Sequence, residues 1–238
     1  MLVDGVNEVT FNQPRVMEST GEEDSLAEQP ENTGLMEHLY TDGVAYQCPD
    51  GEGSQELADG RKYKGEFRGG RACGLGTCEF PDGAVYRGEW NNGRQHGRGS
   101  LTFADGTMFA GQFVEGKKSG NGQVTYQGDM EGCTYNGCFD SNQFHGRGEF
   151  LWSDGRRYDG EWRIGKMHGD GTFHFPDGRK YKGQYCEGAK SGMGSYEWPD
   201  GRVYFGEVMN GMQHGQGTYV DAKGRTKKGL WQAGRFII

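Results

Sequence analysis

The sequence predicts an all-β fold: an elongated, twisted, single antiparallel sheet of stacked 23-residue β-hairpins, open at both ends. Three observations predict it. Leading aromatics recur at Tyr63, Tyr86, Phe109, Tyr135, Tyr158, Tyr181 and Tyr204, spaced by 23 residues apart from a single step of 26. Around each of them, aromatic and glycine residues alternate with charged ones, the period of a strand with two different faces. An Asp-Gly pair follows most units, and such pairs between alternating segments mark turns. The composition fits this reading. Glycine supplies 45 of 238 residues, against a usual share of about 7%. Few aliphatics would suggest disorder, but aromatics make up 13%, which disordered chains lack. Collagen is excluded, because no glycine triplet runs through the chain and proline numbers only 6. No apolar stretch reaches the ~18 residues of a membrane helix, and the first residues lack the basic-then-apolar order of a secretory signal.

Residues 1–39 carry nine acids (Asp4, Glu8, Glu18, Glu22, Glu23, Asp24, Glu28, Glu31, Glu37) against one base, Arg15. This segment alone accounts for the net charge of −8, so residues 40–238 are neutral. Acid-rich and almost without aromatics, 1–39 is predicted to be a disordered tail; a short helix around Ser25–Leu39 is the lesser alternative. Residues 40–62 read as a degenerate capping repeat. Tyr40, Gly51, Gly53, Asp59 and Gly60 keep the phase, while Asp42 and Val44 stand where a glycine and an aromatic are expected. Residues 63–226 hold seven clear units, with a three-residue insertion near Gln127–Gly132. Residues 227–238 form a closing half-repeat in which Gly229, Trp231 and Gly234 keep phase and Lys227 replaces the tyrosine. Worn terminal units are what capping of a repeat array requires.

Within a unit, Tyr63, Gly65 and Phe67 share one face and Lys62, Lys64, Glu66 and Arg68 the other. The second strand, Gly74 to Phe80, leads to a turn at Asp82-Gly83, both of whose residues tolerate positive φ. Glycine at a strand centre ordinarily weakens the strand. Here it is expected to leave a gap that a ring from a neighbouring strand covers.

The run Tyr86-Arg-Gly88-Glu-Trp90-Asn-Asn-Gly93-Arg-Gln-His96-Gly97-Arg-Gly99, followed by Asp105-Gly106, resembles the MORN (membrane occupation and recognition nexus) repeat. The resemblance covers 63–226 clearly and the flanking units weakly. It implies a scaffold or docking surface, with any catalytic domain lying outside the repeats. Among such proteins the chain is most similar to radial spoke head and other axonemal members.

Candidate sites follow from the repeat. His96, His145, His168 and His214 share one slot with Ser119, Ser191 and Cys73. Units two strands apart separate these side chains by ~10 Å, too far for one zinc ion at ~2 Å from each ligand. No metal is therefore predicted, and the slot is expected to bond the loop backbone. Cys48, Cys73, Cys78, Cys133, Cys138 and Cys186 form no Cys-x-x-Cys pair and are expected to be free thiols in a reducing compartment. Gly-x-Gly pairs such as Gly97–Gly99 and Gly146–Gly148 lack phosphate-loop spacing. No nucleophile elbow is present, so neither enzymatic activity nor a cofactor is predicted. The neutral body gives no footprint for nucleic acid.

The expected partner-binding face is aromatic: Tyr63, Phe67, Tyr86, Trp90, Phe109, Phe113, Tyr135, Phe139, Tyr158, Trp162, Tyr181, Tyr185 and Tyr204. A second docking patch is expected at Val203, Phe205, Met209, Leu230, Phe236, Ile237 and Ile238, with capping of the last hairpin as its alternative. Met108, Ala110 and Val114 form a smaller apolar stretch near Phe109, and the open sheet edge is a further place for strand pairing. The leading expectation is a non-enzymatic scaffold that binds protein partners, cytoplasmic and in a cilium or flagellum, with homo-oligomerisation through the terminal repeats as an option. The alternatives are a phosphoinositide-binding adaptor, using the basic stripes at Lys62, Lys64, Arg68, Lys180 and Lys182, and a regulatory subunit that presents a separate enzyme.

Overall fold

A computed structural model describes residues 50–238. The expectations for the acidic tail, the helix at 25–39, residues 40–49 of the degenerate repeat and Cys48 lie outside the described residues. The chain folds as an all-antiparallel sheet of 17 strands, with one 3₁₀ turn and no α-helix among the described residues. It divides into two compact units, one ending at Lys118 and the other running from Ser119 to Ile238.

The first unit contains β1 (Gly51–Glu56), β2 (Lys62–Arg68), β3 (Arg71–Glu79), β4 (Val85–Asn91), β5 (Arg94–Thr102) and β6 (Met108–Val114), each pairing with the next in chain order. β7 (Lys117–Thr125) begins at its end. The second unit continues with β8 (Thr134–Asp140), β9 (Gln143–Leu151), β10 (Arg157–Arg163), β11 (Lys166–His174) and β12 (Lys180–Cys186). It closes with β13 (Ala189–Glu197), β14 (Val203–Met209), β15 (Met212–Val220), β16 (Thr226–Gln232) and β17 (Arg235–Phe236), again paired consecutively. The three-residue insertion becomes the 3₁₀ turn Gly128–Met130.

Alternation sets the faces as expected. In β2, Tyr63 and Phe67 are buried while Lys62, Lys64, Glu66 and Arg68 are exposed. Two kinds of turn join the strands, and they divide the work differently from the expectation. The Asp-Gly loops are three-residue connections: in one, Gly83 N donates to Phe80 O at 2.9 Å and Phe80 N to Ala84 O at 2.8 Å. Only the glycine has positive φ, 86° at Gly83. The aspartate instead accepts the amide two residues on, Ala84 N to Asp82 Oδ1 at 2.9 Å. This is a type I turn followed by a left-handed glycine.

The two-residue turns with both residues at positive φ lie at the other end of each hairpin, at pairs such as Asn92-Gly93 (52° and 80°) and Ile164-Gly165 (50° and 72°). Their backbone twist matches that of the strands they join. Non-glycine residues fill the first turn position in most units, because the I′ geometry is imposed by the ladders on either side. Ile164 is the costly case, since a β-branched residue at positive φ is strained.

Each long second strand also carries a bulge. Gly65 faces Gly76 while Glu66 faces Cys73, which leaves Gly74 and Leu75 without a partner in β2. The same shift recurs at Gly88/Trp90, Gly137/Phe139, Gly160/Glu161, Gly183/Tyr185 and Gly206/Val208. The side chain opposite the bulge accepts the freed amide: Leu75 N donates to Glu66 Oε1, Arg98 N to Glu89, Met193 N to Gln184 and Gln216 N to Glu207, each at 2.9 Å. These bonds lie at the surface, where each contributes about 0.5–1.5 kcal/mol.

Candidate docking surface

The inner face is built from one leading ring per unit, a tyrosine in every clear unit but the one led by Phe109, and the glycine pair beneath it. A methyl group on Gly99 would lie 2.5 Å from Cε2 of Tyr86, and one on Gly88 would lie 2.5 Å from the Gly99 backbone. The paired glycines therefore make a floor on which the ring rests. The covering ring is the unit's own tyrosine: it leans along its own strand over Gly88 and, as expected, reaches from the neighbouring strand over Gly99.

Its hydroxyl is anchored on backbone. Tyr86 Oη donates to Glu89 O at 2.8 Å with His96 O at 3.4 Å, and Tyr158 does the same with Glu161 O and His168 O at 2.9 and 3.4 Å. Edge-on rings link unit to unit. Tyr63 meets Phe67 and Trp90 at 5.0 Å each, and Tyr86 meets Trp90 at 5.2 Å and Phe113 at 4.9 Å. Such pairs add about 0.5–1.5 kcal/mol each beyond area burial. Trp90 and Trp162 also donate their indole N–H to Gly76 O and Gly148 O at 3.2 and 2.9 Å.

All thirteen residues expected to form an aromatic docking face are buried within the chain. The rings are the hydrophobic core, not an open groove, because the tyrosines lie flat on glycine and rings from neighbouring strands pack against them. Burial holds their hydroxyls neutral: it pushes Tyr63 and Tyr204 up to about 12, and raises Tyr86, Tyr135, Tyr158, Tyr181 and Tyr185 well above the ordinary tyrosine value.

The histidine slot behaves otherwise than expected. It is the backbone carbonyls of His96, His168 and His214 that take tyrosine hydroxyls, while Nδ1 of His96 and of His168 is buried without a hydrogen-bond partner. His168 Nδ1 lies 3.9 Å from Glu187, which also binds Lys166 at 2.9 Å. Among the described residues, no three metal-ligating side chains gather at one point, and Cys73, Cys78, Cys133, Cys138 and Cys186 are free thiols. Burial raises Cys78 to about 11.

Two features were not singled out from the sequence. Lys118 and Lys190 start the second strands of their units and turn toward aromatic rings. Lys118 lies 4.9 Å from the Phe103 ring and 5.5 Å from Phe109. Lys190 lies 4.6–5.4 Å from four rings, those of Phe173, Phe175, Tyr181 and Tyr196. Desolvation lowers both ammonium groups to about 8. The second feature is the loop clamp, in which Asp177 grips Arg179 at 2.6 Å and the guanidinium lies 5.0 Å from Phe175, with parallels at Asp154–Arg156–Trp152 and Asp200–Arg202–Trp198. The signal for the lysines was a deviation between units at a fixed repeat slot, and that for the clamp the recurrence of Asp-Gly-Arg at residues 59–61, 154–156, 177–179 and 200–202.

The outward face carries what differs between units. Phe205, Met209 and Leu230 point outward and are exposed, Phe205 at 57%, and Val203 is half-buried beside them. Across the ladder Phe205 faces Ser195 and Thr218. The last residues cap as well as expose. Phe236 meets Trp231 at 5.2 Å, and Leu230 exchanges backbone hydrogen bonds with Ile237 and Ile238, whose side chains remain exposed. Of the two basic stripes, the one at Lys180 and Lys182 is partly neutralised, because Lys180 binds Glu197 at 3.1 Å.

The family model for the MORN repeat matches residues 63–85, 86–108, 109–129, 135–156, 158–178, 181–201 and 204–224. A comparison with curated proteins finds no match. Among solved structures, the chain is similar to the SAS-4 (dCPAP) TCP domain of Drosophila melanogaster in complex with a proline-rich motif of Ana2 (dSTIL): 11% identity, 74% of this chain and 88% of that one, TM-score 0.42. It is also similar to the G-box domain of the microcephaly protein CPAP, at 13% identity, 76% and 100% coverage and TM-score 0.36. The Danio rerio CPAP TCP10 domain with a STIL peptide follows at 13% identity, 76% and 99% coverage and TM-score 0.23. Likeness at these scores supports no assignment. Among the described residues no helix is long and apolar enough to cross a membrane.

Proposed function

The chain belongs to the MORN-repeat family, and from that premise we propose that it is a non-enzymatic scaffold that docks protein partners on the outward face of its hairpins, in a ciliary or flagellar axoneme. MORN repeats suggest a protein-interaction or scaffold role, and their proteins are generally non-enzymatic. The observation that carries the reading is the division of labour within each unit. The inward side chains repeat the same aromatic and glycine core, so recognition falls to the outward side chains, which differ from unit to unit. The apolar group of Phe205, Met209 and Leu230 is the part of that face best suited to exclude water against a partner. The axonemal setting rests on the resemblance to radial spoke head proteins, and a radial spoke is the assembly it points to.

The test is proximity labelling with the tagged full chain in ciliated cells, beside a Phe205→Glu/Leu230→Glu variant. Axonemal proteins should be labelled by the parent chain and lost with the variant at unchanged melting temperature. Uniform cytoplasmic labelling by the parent would overturn the axonemal setting. Labelling identical for both chains would overturn the docking face. A phosphoinositide-binding adaptor is the weaker reading, because Lys180 is already paired with Glu197; flotation with phosphoinositide vesicles at physiological salt separates the two.

A further inference from the structure

The slot that Lys190 fills is occupied by Ala72, Gln95, Lys118, Phe144, Met167 and Gln213 in the other units. Five of these six are uncharged, and two end in a carboxamide. Lys190 places a cation there, within 4.6–5.4 Å of four ring centroids. Cation–π attraction offsets part of the cost of that burial. The charges and titratable groups packed around it do not help further. Arg179, gripped by Asp177 at 2.6 Å, is of like charge, and Tyr181 and Tyr196 are held neutral by burial. Lys118 is only 7% exposed, whereas Lys190 is half-buried, so part of its side chain stays open to solvent.

We propose that Lys190 is a site of Nε-acylation by acyl thioesters, which converts the caged ammonium into the neutral carboxamide that Gln95 and Gln213 present in the same slot. In the step, the neutral amine attacks the thioester carbonyl carbon. The new N–C bond forms, the C–S bond breaks, the thiolate leaves, and the proton released by the amine passes to it or to water. Acylation removes a desolvated charge and leaves an amide able to lie against the rings. This goes beyond the docking role and does not depend on it.

Lowered basicity makes the amine available. An amine titrating near 8 is about one-fifth neutral at pH 7.4, against about one in a thousand for an ordinary lysine. Lower nucleophilicity, as known for weakly basic thiols, and crowding by the rings leave an expected advantage of about ten-fold.

The full chain is incubated with acetyl-coenzyme A at pH 7.4, and site occupancy is followed by mass spectrometry. Lys190 should acetylate about ten-fold faster than the exposed Lys62 and Lys182, Lys118 should stay slowest, and the Lys190 rate should level off just above pH 8. A Lys190 rate at or below that of Lys62, or one still climbing in proportion to hydroxide above pH 9, overturns the proposal. A Lys190→Gln chain should melt at or above the parent temperature; failure of that variant to fold shows that the slot rejects a carboxamide and overturns the proposal equally.

Discussion

Raising the pH should unfold this protein cooperatively, because its core is made of tyrosines that cannot ionise in place. Nine tyrosines (Tyr63, Tyr86, Tyr126, Tyr135, Tyr158, Tyr181, Tyr185, Tyr196 and Tyr204) have their hydroxyls shifted upward, with burial the largest cause in each. The unfolded chain ionises them near 10. An acid whose folded pKa lies above its unfolded value stabilises the fold below the unfolded pKa and loses that contribution as pH rises past it. At pH 11 each such tyrosine favours the unfolded state by about 1.4 kcal/mol. Nine give about 12 kcal/mol, and halving for hydroxyls that solvent partly reaches leaves about 6 kcal/mol. That is comparable to the 5–15 kcal/mol stability of a typical domain.

Lys118 and Lys190 act in the opposite sense over a lower window. Their folded pKa values, near 8, lie below the unfolded 10.5, so their burial penalty is present below pH 8 and relieved between 8 and 10.5. Stability should therefore hold or rise to about pH 10 and collapse within roughly one unit above it. Absorbance of tyrosinate at 295 nm and far-ultraviolet circular dichroism, recorded on one titration, should change together in a single steep step. Gradual tyrosine titration centred near 10, with circular dichroism unchanged to pH 12, would refute the reasoning.

Substitutions at three positions test the local geometry by chemical denaturation. Gly99→Ala drives a methyl group into the Tyr86 ring, 2.5 Å from Cε2, and should destabilise by about 3 kcal/mol, whereas a loss below ~0.5 kcal/mol would show that the ring moves freely. Ile164→Asn relieves a β-branched residue at φ 50° on an exposed turn, and should stabilise by about 1 kcal/mol. Glu89→Ala removes the acceptor of the exposed Arg98 amide at the bulge and should cost about 0.5–1.5 kcal/mol, while Glu89→Gln should be nearly neutral, since Gln184 makes the same bond to Met193; equal losses in both variants would assign the effect to charge instead.

The period of 23 and the alternation of rings with charges were enough to place the strands and to decide which face turns inward, since both depend on spacing alone. The turns were legible only in part. Asp-Gly was found, but the left-handed pairs such as Ile164-Gly165 and Glu115-Gly116 were not, because nothing in Ile or Glu announces positive φ; the strand ladders impose it. The bulge was hidden for a related reason: Gly97 and Gly99 look alike in sequence, yet one sits at φ 58° in the bulge and the other is the floor under Tyr86.

The aromatic residues expected to meet a partner illustrate the remaining limit. Sequence alone determined that they share one face, the number of units and the neutral charge of residues 40–238. It could not say whether that face is open, because exposure depends on what packs over it. Only the tertiary structure decided that a leading tyrosine such as Tyr86 lies on its own glycine pair, with its hydroxyl bound to backbone and the next unit's ring against its edge. Only packing, likewise, separates Lys190 among four rings from the solvated Lys182, since desolvation is a property of neighbours and not of the residue.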